Sequence, residues 1–134
     1  MNSESTSKSV RRRPRLAACP GAPNCVCSQS AEPARTVPAI GYAIERAVAR
    51  DILLAELRSW PRTAIVERAD DYIHATQRSR WFGFVDDLEC HLPPDEALIH
   101  VRSASRTGYY DFGVNRARVD RLRRAVNRRL ARAQ

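Results

Sequence analysis

Between residues 102 and 116 the chain reads RSASRTGYYDFGVNR, its densest run of charge-binding groups. Arg102, Ser103, Ser105 and Arg106 alternate, so on a strand the two guanidinium groups share one face and the two hydroxyls the other. A turn at Gly108 follows, and the residues from Asp111 to Arg116 open a helix. Guanidinium forks, hydroxyls and the orphan N–H groups of a helix N-terminus are the components of an anion cradle. Tyr109 would line such a pocket, and Asp111, Asn115 and Arg116 would frame its helical side. The same residue types also cap helices and tie turns to sheets, and that reading stays open beside the first.

Asp86 and Asp87 are the next candidates. Adjacent strand residues point to opposite faces, so the two carboxyls cannot act on each other as a close acid/base pair. One of them, facing the sheet interior, is expected to pair with Arg102 or Arg106 from a neighbouring strand, because buried charges persist only when partnered. Catalysis would instead require one aspartate left unpaired in a pocket, with a raised pKa.

Cys19 and Cys25 enclose a loop with two prolines and a glycine that can fold back far enough for a disulfide, although a reducing cytoplasm would keep both as thiols. Cys27 adds a third sulfur. A fourth zinc ligand would have to come from Cys90, His74, His91 or His100. The spacing C-x5-C-x-C matches no common zinc knuckle, so neither a metal nor a cofactor is expected. A nucleophilic cysteine needs a base beside it, and no histidine lies near the loop in sequence. The loop is read as structural, and Cys90 and the scattered histidines as strand residues.

The elements that must position these groups follow from periodicity. Ile44, Val48, Ile52 and Ala55, widened by Leu53, Leu54 and Leu57, predict a helix over residues 44–59, ended by Pro61. Strands are expected over 63–67, 71–78, 84–92 and 98–105. In the second, Tyr72, His74 and Thr76 face away from Ile73, Ala75 and Gln77; in the third, Leu88, Cys90 and Leu92 face away from Asp87, Glu89 and His91. Short turns between them imply antiparallel pairing. Val119, Leu122, Val126 and Leu130 mark the buried stripe of a second helix over 114–131, with Asp111 as its N-cap or first-turn acid. The segment 19–28 is read as a loop, with Ile40 and Tyr42 beyond it as a short edge strand or anchor. The fold class is α+β: an antiparallel sheet of three to five strands with two helices packed on one face.

With 134 residues the chain supports one domain, assigned to 19–134, preceded by a disordered basic tail over 1–18. No run of 18 apolar residues spans a membrane, and no apolar segment follows the early arginines as a secretory signal would require, so the expected compartment is cytoplasmic. The net charge of +8 is uneven: the first 18 residues carry +4, residues 113–134 carry +7, and the body between them −3. A nucleic-acid groove would place its charge on the folded body among aromatics, so nucleic acid is not an expected partner.

Cys19-Pro-x-x-Pro-Asn-Cys25 with Ser28, then Phe84-Val-Asp-Asp87, then Arg102-Ser-Ala-Ser-Arg106-x-Gly108-x-x-Asp111-x-Gly113-x-Asn115-Arg116 together resemble the domain of unknown function 1499 family. The resemblance covers roughly residues 19–122. It implies no activity, because the family has none established. The chain departs from the family pattern at Cys27, where serine is expected, which argues against an essential third thiolate. No motif fixes a reaction. The favoured function is a binding module for a small anionic or mixed apolar–polar ligand. The rivals are an enzyme using Asp86 or Asp87 with Arg102 and Arg106, and an interaction protein docking an acidic partner through the arginine-rich C-terminal helix.

Overall fold

The computed structural model describes residues 16–108 and 111–133. In chain order its elements are β1 (Cys25–Cys27), β2 (Ile40–Gly41), α1 (Arg46–Arg58), β3 (Thr63–Arg68), β4 (Tyr72–Arg78), β5 (Val85–His91), β6 (Leu98–Ser105) and α2 (Val114–Ala133). Strands β3 to β6 form a meander, and β1 closes the sheet in the order β1-β6-β5-β4-β3. Every strand pairing is antiparallel, and β2 pairs with the opening residues of β6, beyond the stretch that β1 occupies.

The sheet therefore has six strands, not the expected three to five. The difference lies in β1. Cys25 to Cys27 is too short for alternation to be visible between loop residues, yet it pairs with Arg102 to Ala104 because β6 has an open edge there. The first helix buries the leucine side of its expected stripe, with Ile44 and Ile52 packed partly buried against the core. Ala49, Leu53 and Leu57 recur at i, i+4 and i+8 and are buried with Leu54, while Val48 and Ala55 are exposed. Leucines, with more apolar surface to hide, override the β-branched pattern.

Ala49, Leu53, Leu54 and Leu57 of α1 and Val119, Leu122, Val126 and Leu130 of α2 join Ile73, Ala75, Leu88, Cys90, Ile99 and Val101 in one core cluster. Each fully buried leucine contributes roughly 1.5–3 kcal/mol. Burial, with Glu89 alongside, pushes the Cys90 thiol up to about 12, so it behaves as a small apolar side chain. The two helices are clamped by Glu56. Its carboxylate accepts from Trp60 Nε1 at 2.7 Å and from Arg129 Nε at 2.7 Å, and Arg121 lies 4.3 Å over the Trp60 ring. Burial raises the Glu56 pKa, but the Arg129 and Trp60 hydrogen bonds outweigh it and leave the carboxyl below its ordinary value.

A smaller cluster forms on the outer side, where Leu16 packs with Cys27 and Tyr72, and Cys19 and Ala69 lie against them. Of the expected tail, residues 1–15 lie outside the described residues, while Leu16 is buried and donates its N–H to Gln29 Oε1 at 2.7 Å. Cys19 and Cys25 form a disulfide with Cα atoms 5.6 Å apart. Arg35 fixes the same loop by donating to the carbonyls of Ala22 at 2.9 Å and Gly21 at 2.6 Å. Among the described residues no helix is long and apolar enough to cross a membrane.

Closing so short a loop stabilises the fold by about 2.4 kcal/mol on the chain-entropy relation. Urea unfolding with and without reductant should therefore differ by that amount. An unchanged midpoint would mean that Arg35 and Leu16 hold the loop without the bridge.

Candidate functional site

The predicted site residues separate onto the two faces of the sheet. On the core face, Thr63, Gln77, Asp86 and Ser105 form one rank, since Thr63 opposes Gln77, Gln77 opposes Asp86 and Asp86 opposes Ser105. The first turns of α2 lie over this rank and bond into it. Asn115 is fully buried, and its Oδ1 accepts from Ser103 Oγ at 2.6 Å. Its Nδ2 lies within hydrogen-bond distance of Ser105 Oγ at 2.9 Å, Asp111 Oδ2 at 2.8 Å and the Asn24 carbonyl at 3.1 Å. Arg118 donates to Asn115 Oδ1 at 2.7 Å, Ser103 Oγ at 3.0 Å, Gln77 Oε1 at 2.7 Å and Asp86 Oδ2 at 2.6 Å. Gln77 passes the network on to Thr63 Oγ1 at 3.0 Å.

Asp111 caps α2 from outside the helix, two residues ahead of Gly113, and not as the expected N-cap or first-turn acid. Oδ1 accepts the Gly113 N–H at 2.9 Å and Oδ2 the Asn115 N–H at 3.3 Å. The chain reaches that geometry through Phe112 at φ +54° and Gly113 at φ +79°, and the second of these favours glycine. Burial raises the Asp111 pKa, but the Asn115 amide and the backbone N–H groups prevail and hold it low. The N–H groups expected to meet an anion therefore already have one. Arg116 faces elsewhere, donating to the carbonyls of Thr36 at 3.0 Å and Ala34 at 2.8 Å.

On the outer face Arg102, Arg106 and His74 meet acidic partners on β5. Arg106 grips Asp87 through Nε and Nη2, both at 2.8 Å, and His74 Nε2 lies 2.7 Å from the same carboxylate. The Arg106 guanidinium holds the Asp87 carboxyl below its usual range, against the upward pull of partial burial, with His74 adding to the lowering. Arg102 Nη1 donates to Glu89 Oε1 at 2.9 Å, and Tyr72 hydrogen-bonds the other Glu89 oxygen. The sheet thus keeps Asp86 and Asp87 on opposite faces, but the inward Asp86 pairs with Arg118 of α2, not with Arg102 or Arg106 as expected. Asp87 takes Arg106 on the outer face, and Arg102 takes Glu89 across the strand pair. Tyr109 lies outside the described residues.

A hollow of about 440 Å³ opens where β3 and β4 run into their neighbouring turns, lined by Arg62, Thr63, Ala64, Thr76, Arg78, Ser79, Arg80 and Gly83. Its arginines differ from those above. Arg62 Nε donates to the Arg78 carbonyl at 3.2 Å and Arg78 Nη1 to the Gly83 carbonyl at 3.4 Å, but among the described residues none of Arg62, Arg78 and Arg80 forms a salt bridge. Arg62 also occupies φ +54°, a region that a side chain of its type rarely adopts. Alternation around residues 63–68 hides this hollow, because it depends on which strands become neighbours. Among the described residues no group of three or more His, Cys, Asp or Glu side chains is placed to hold a metal ion.

The molecule is thus a small antiparallel α+β domain with a half-buried polar rank on one side of its sheet and ion pairs on the other. Residues 15–126 match the family described as "Protein of unknown function (DUF1499)", and the chain belongs to that family. No curated protein and no solved structure matches the chain.

Replacing Asn115 with alanine leaves the buried Ser103 hydroxyl without its acceptor and takes one partner each from Arg118 and the Asn24 carbonyl, and should destabilise by about 2–4 kcal/mol in chemical denaturation. A loss below about 0.5 kcal/mol would mean that water substitutes for the amide. The depressed Asp87 pKa contributes stability that is present above the unfolded value near 3.9 and is lost as pH falls through the folded value. Asp87→Asn should therefore be less stable than the natural protein at neutral pH, with the gap closing in acid. A gap independent of pH would show that the ion pair carries none of it.

Proposed function

We propose that the protein is a binding module for a small oxyanion, a phosphate or carboxylate, and that its site is the arginine-lined hollow beside β3 and β4. The observation that carries this reading is three arginines lining one hollow together with Thr63, Thr76 and Ser79, without a carboxylate among them. Arginine donates in a planar fork that suits phosphate and carboxylate oxygens, and unpaired forks side by side repel one another until an anion joins them.

The polar turn is the second candidate for the same ligand class. An anion there would have to displace Asp87 from Arg106 or Glu89 from Arg102. The catalytic alternative with Asp86 or Asp87 requires an unpaired, raised-pKa aspartate, whereas Asp87 is paired and lowered. For docking through α2, Arg116, Arg118, Arg121, Arg123 and Arg129 are occupied within the chain, which leaves Arg124, Arg128 and Arg132 as the arginines to meet a partner. The Cys19–Cys25 bridge favours an oxidising compartment over the reducing cytoplasm.

Titration calorimetry with inorganic pyrophosphate tests the site. Arg78→Ala with Arg80→Ala removes two charge-assisted contacts, at about 1.5 kcal/mol each, so binding should weaken roughly 10²-fold. Arg106→Ala should leave it intact. Loss in Arg106→Ala with no effect of the double substitution would return the site to the turn.

A further inference from the structure

The turn between β4 and β5 is an unexplained feature at the same end of the sheet. It places Trp81 82% and Phe82 77% exposed, with Phe84 exposed beside them. The turn is closed by the Ser79 N–H donating to the Phe84 carbonyl at 2.8 Å and the Phe84 N–H donating to Ser79 Oγ at 2.9 Å. Gly83, at φ +69°, lets it fold. Phe82 and Phe84 stack with centroids 5.6 Å apart, and Arg80 lies 5.5 Å from the Trp81 ring. A closed turn holding its aromatic side chains in solvent is not a core that failed to form.

Phe112 and Val114 are at this end too. β6 finishes with Ser105 opposite Asp86, and the Arg106 N–H donates to the Val85 carbonyl, so the chain leaves the sheet beside the hairpin. Among the described residues, five of the seven exposed large hydrophobic residues, Trp81, Phe82, Phe84, Phe112 and Val114, thus belong to one end of the fold. Single exposed apolar residues are ordinary, but their concentration at one place marks an interaction surface.

The charge around these aromatics is one-sided. Arg62, Arg78 and Arg80 are exposed there, whereas the acids of the same end are engaged: Asp86 with Arg118, Asp87 with Arg106 and His74, Asp111 with the helix N-terminus. We propose that this end docks on a membrane surface containing anionic phospholipid, with Trp81 and Phe82 entering the headgroup layer and Arg62, Arg78 and Arg80 holding lipid phosphates. The proposal rests on the arginine hollow being an anion site, and it names the source of the anion. Amphipathic aromatics settle at the level of lipid headgroups, and arginines beside them add electrostatic attraction to anionic lipid. A protruding turn suits a fluid interface, which needs no matching shape. Single-stranded nucleic acid would ask instead for separated stacking platforms along a groove, and Phe82 and Phe84 spend their faces on each other.

The protein contains two tryptophans, and Trp60 is buried at 4% exposure, so a change of emission on adding vesicles reports Trp81. The full chain should sediment with vesicles of mixed phosphatidylcholine and phosphatidylglycerol and shift its emission to the blue, but do neither with phosphatidylcholine alone. Trp81→Ser with Phe82→Ser should abolish sedimentation and leave pyrophosphate binding unchanged, with Trp60 emission reporting an intact fold. Arg78→Ala with Arg80→Ala should weaken both, vesicle partitioning by roughly fivefold per arginine. Pyrophosphate binding without vesicle binding overturns the membrane proposal and spares the anion site, while absence of both overturns the two together. Vesicle binding indifferent to the aromatic substitutions, or binding of a single-stranded oligonucleotide in place of vesicles, also overturns the proposal.

Discussion

The amide of Asn115 is the contact on which the architecture depends. It is the point where three separately folded pieces meet: the loop at Asn24, the end of β6 at Ser103 and Ser105, and the first turn of α2 capped by Asp111. A buried amide with both ends satisfied by different elements specifies their relative placement in a way apolar contacts do not, since a leucine tolerates sliding and a hydrogen bond does not. Arg118 extends the constraint across the sheet to Asp86 and Gln77. Its side chain would be costly to bury alone, so the pairing with Asp86 ties the presence of one to the presence of the other.

This explains why the two longest motifs in the sequence lie far apart yet belong together. The Pro-Asn-Cys loop and the Arg-Ser-Ala-Ser-Arg to Asn-Arg stretch are two halves of one joint, with Asn24 supplying carbonyl and amide while Ser103, Ser105, Asp111 and Asn115 supply the rest. Arg116 fastens the same loop from its far side through Thr36 and Ala34. Residues that look like an anion cradle by type thus find partners within the chain: Arg102 and Arg106 in the carboxylates of Glu89 and Asp87, Ser103 and Ser105 in the Asn115 amide, and Arg116 in backbone carbonyls.

Where sequence reasoning succeeded, a local period was enough. Val119, Leu122, Val126 and Leu130 mark the buried stripe of α2, and the alternation of β4 to β6 assigns Asp86 and Asp87 to opposite faces. Where it fell short, the answer lay in neighbours distant in sequence. Arg118 looks like any other arginine on an arginine-rich helix, and only its position above the Thr63 to Ser105 rank makes it a buried partner of Asp86. Glu89 and His74 follow the same rule, since the register of β5 with β4 and β6 decides what each faces. Within α1 only the leucine side of the expected stripe is fully buried, because a helix with apolar residues on most of its circumference offers several stripes and the core selects among them.

The outer face shows how the molecule separates the charges it needs for stability from those it leaves available. Arg102 lies on β6 and Arg106 just past its end, with Glu89 and Asp87 of the adjacent β5 as their partners, and the Arg102 guanidinium on this half-buried surface is tolerable only with such a partner. Arg62, Arg78 and Arg80 sit where the sheet ends, in positions bathed by water on one side, so nothing in the folding of the domain obliges them to be neutralised. Solvent makes their mutual repulsion affordable, and the same exposure makes them reachable. The aromatic turn beside them has an equivalent logic. Trp81 and Phe82 could have been polar at no cost to the hairpin, because the Ser79 to Phe84 hydrogen bonds and Gly83 already close it. Beyond the Phe82–Phe84 stack and the Arg80–Trp81 contact their apolar surface meets solvent, beside arginines that form no salt bridge among the described residues.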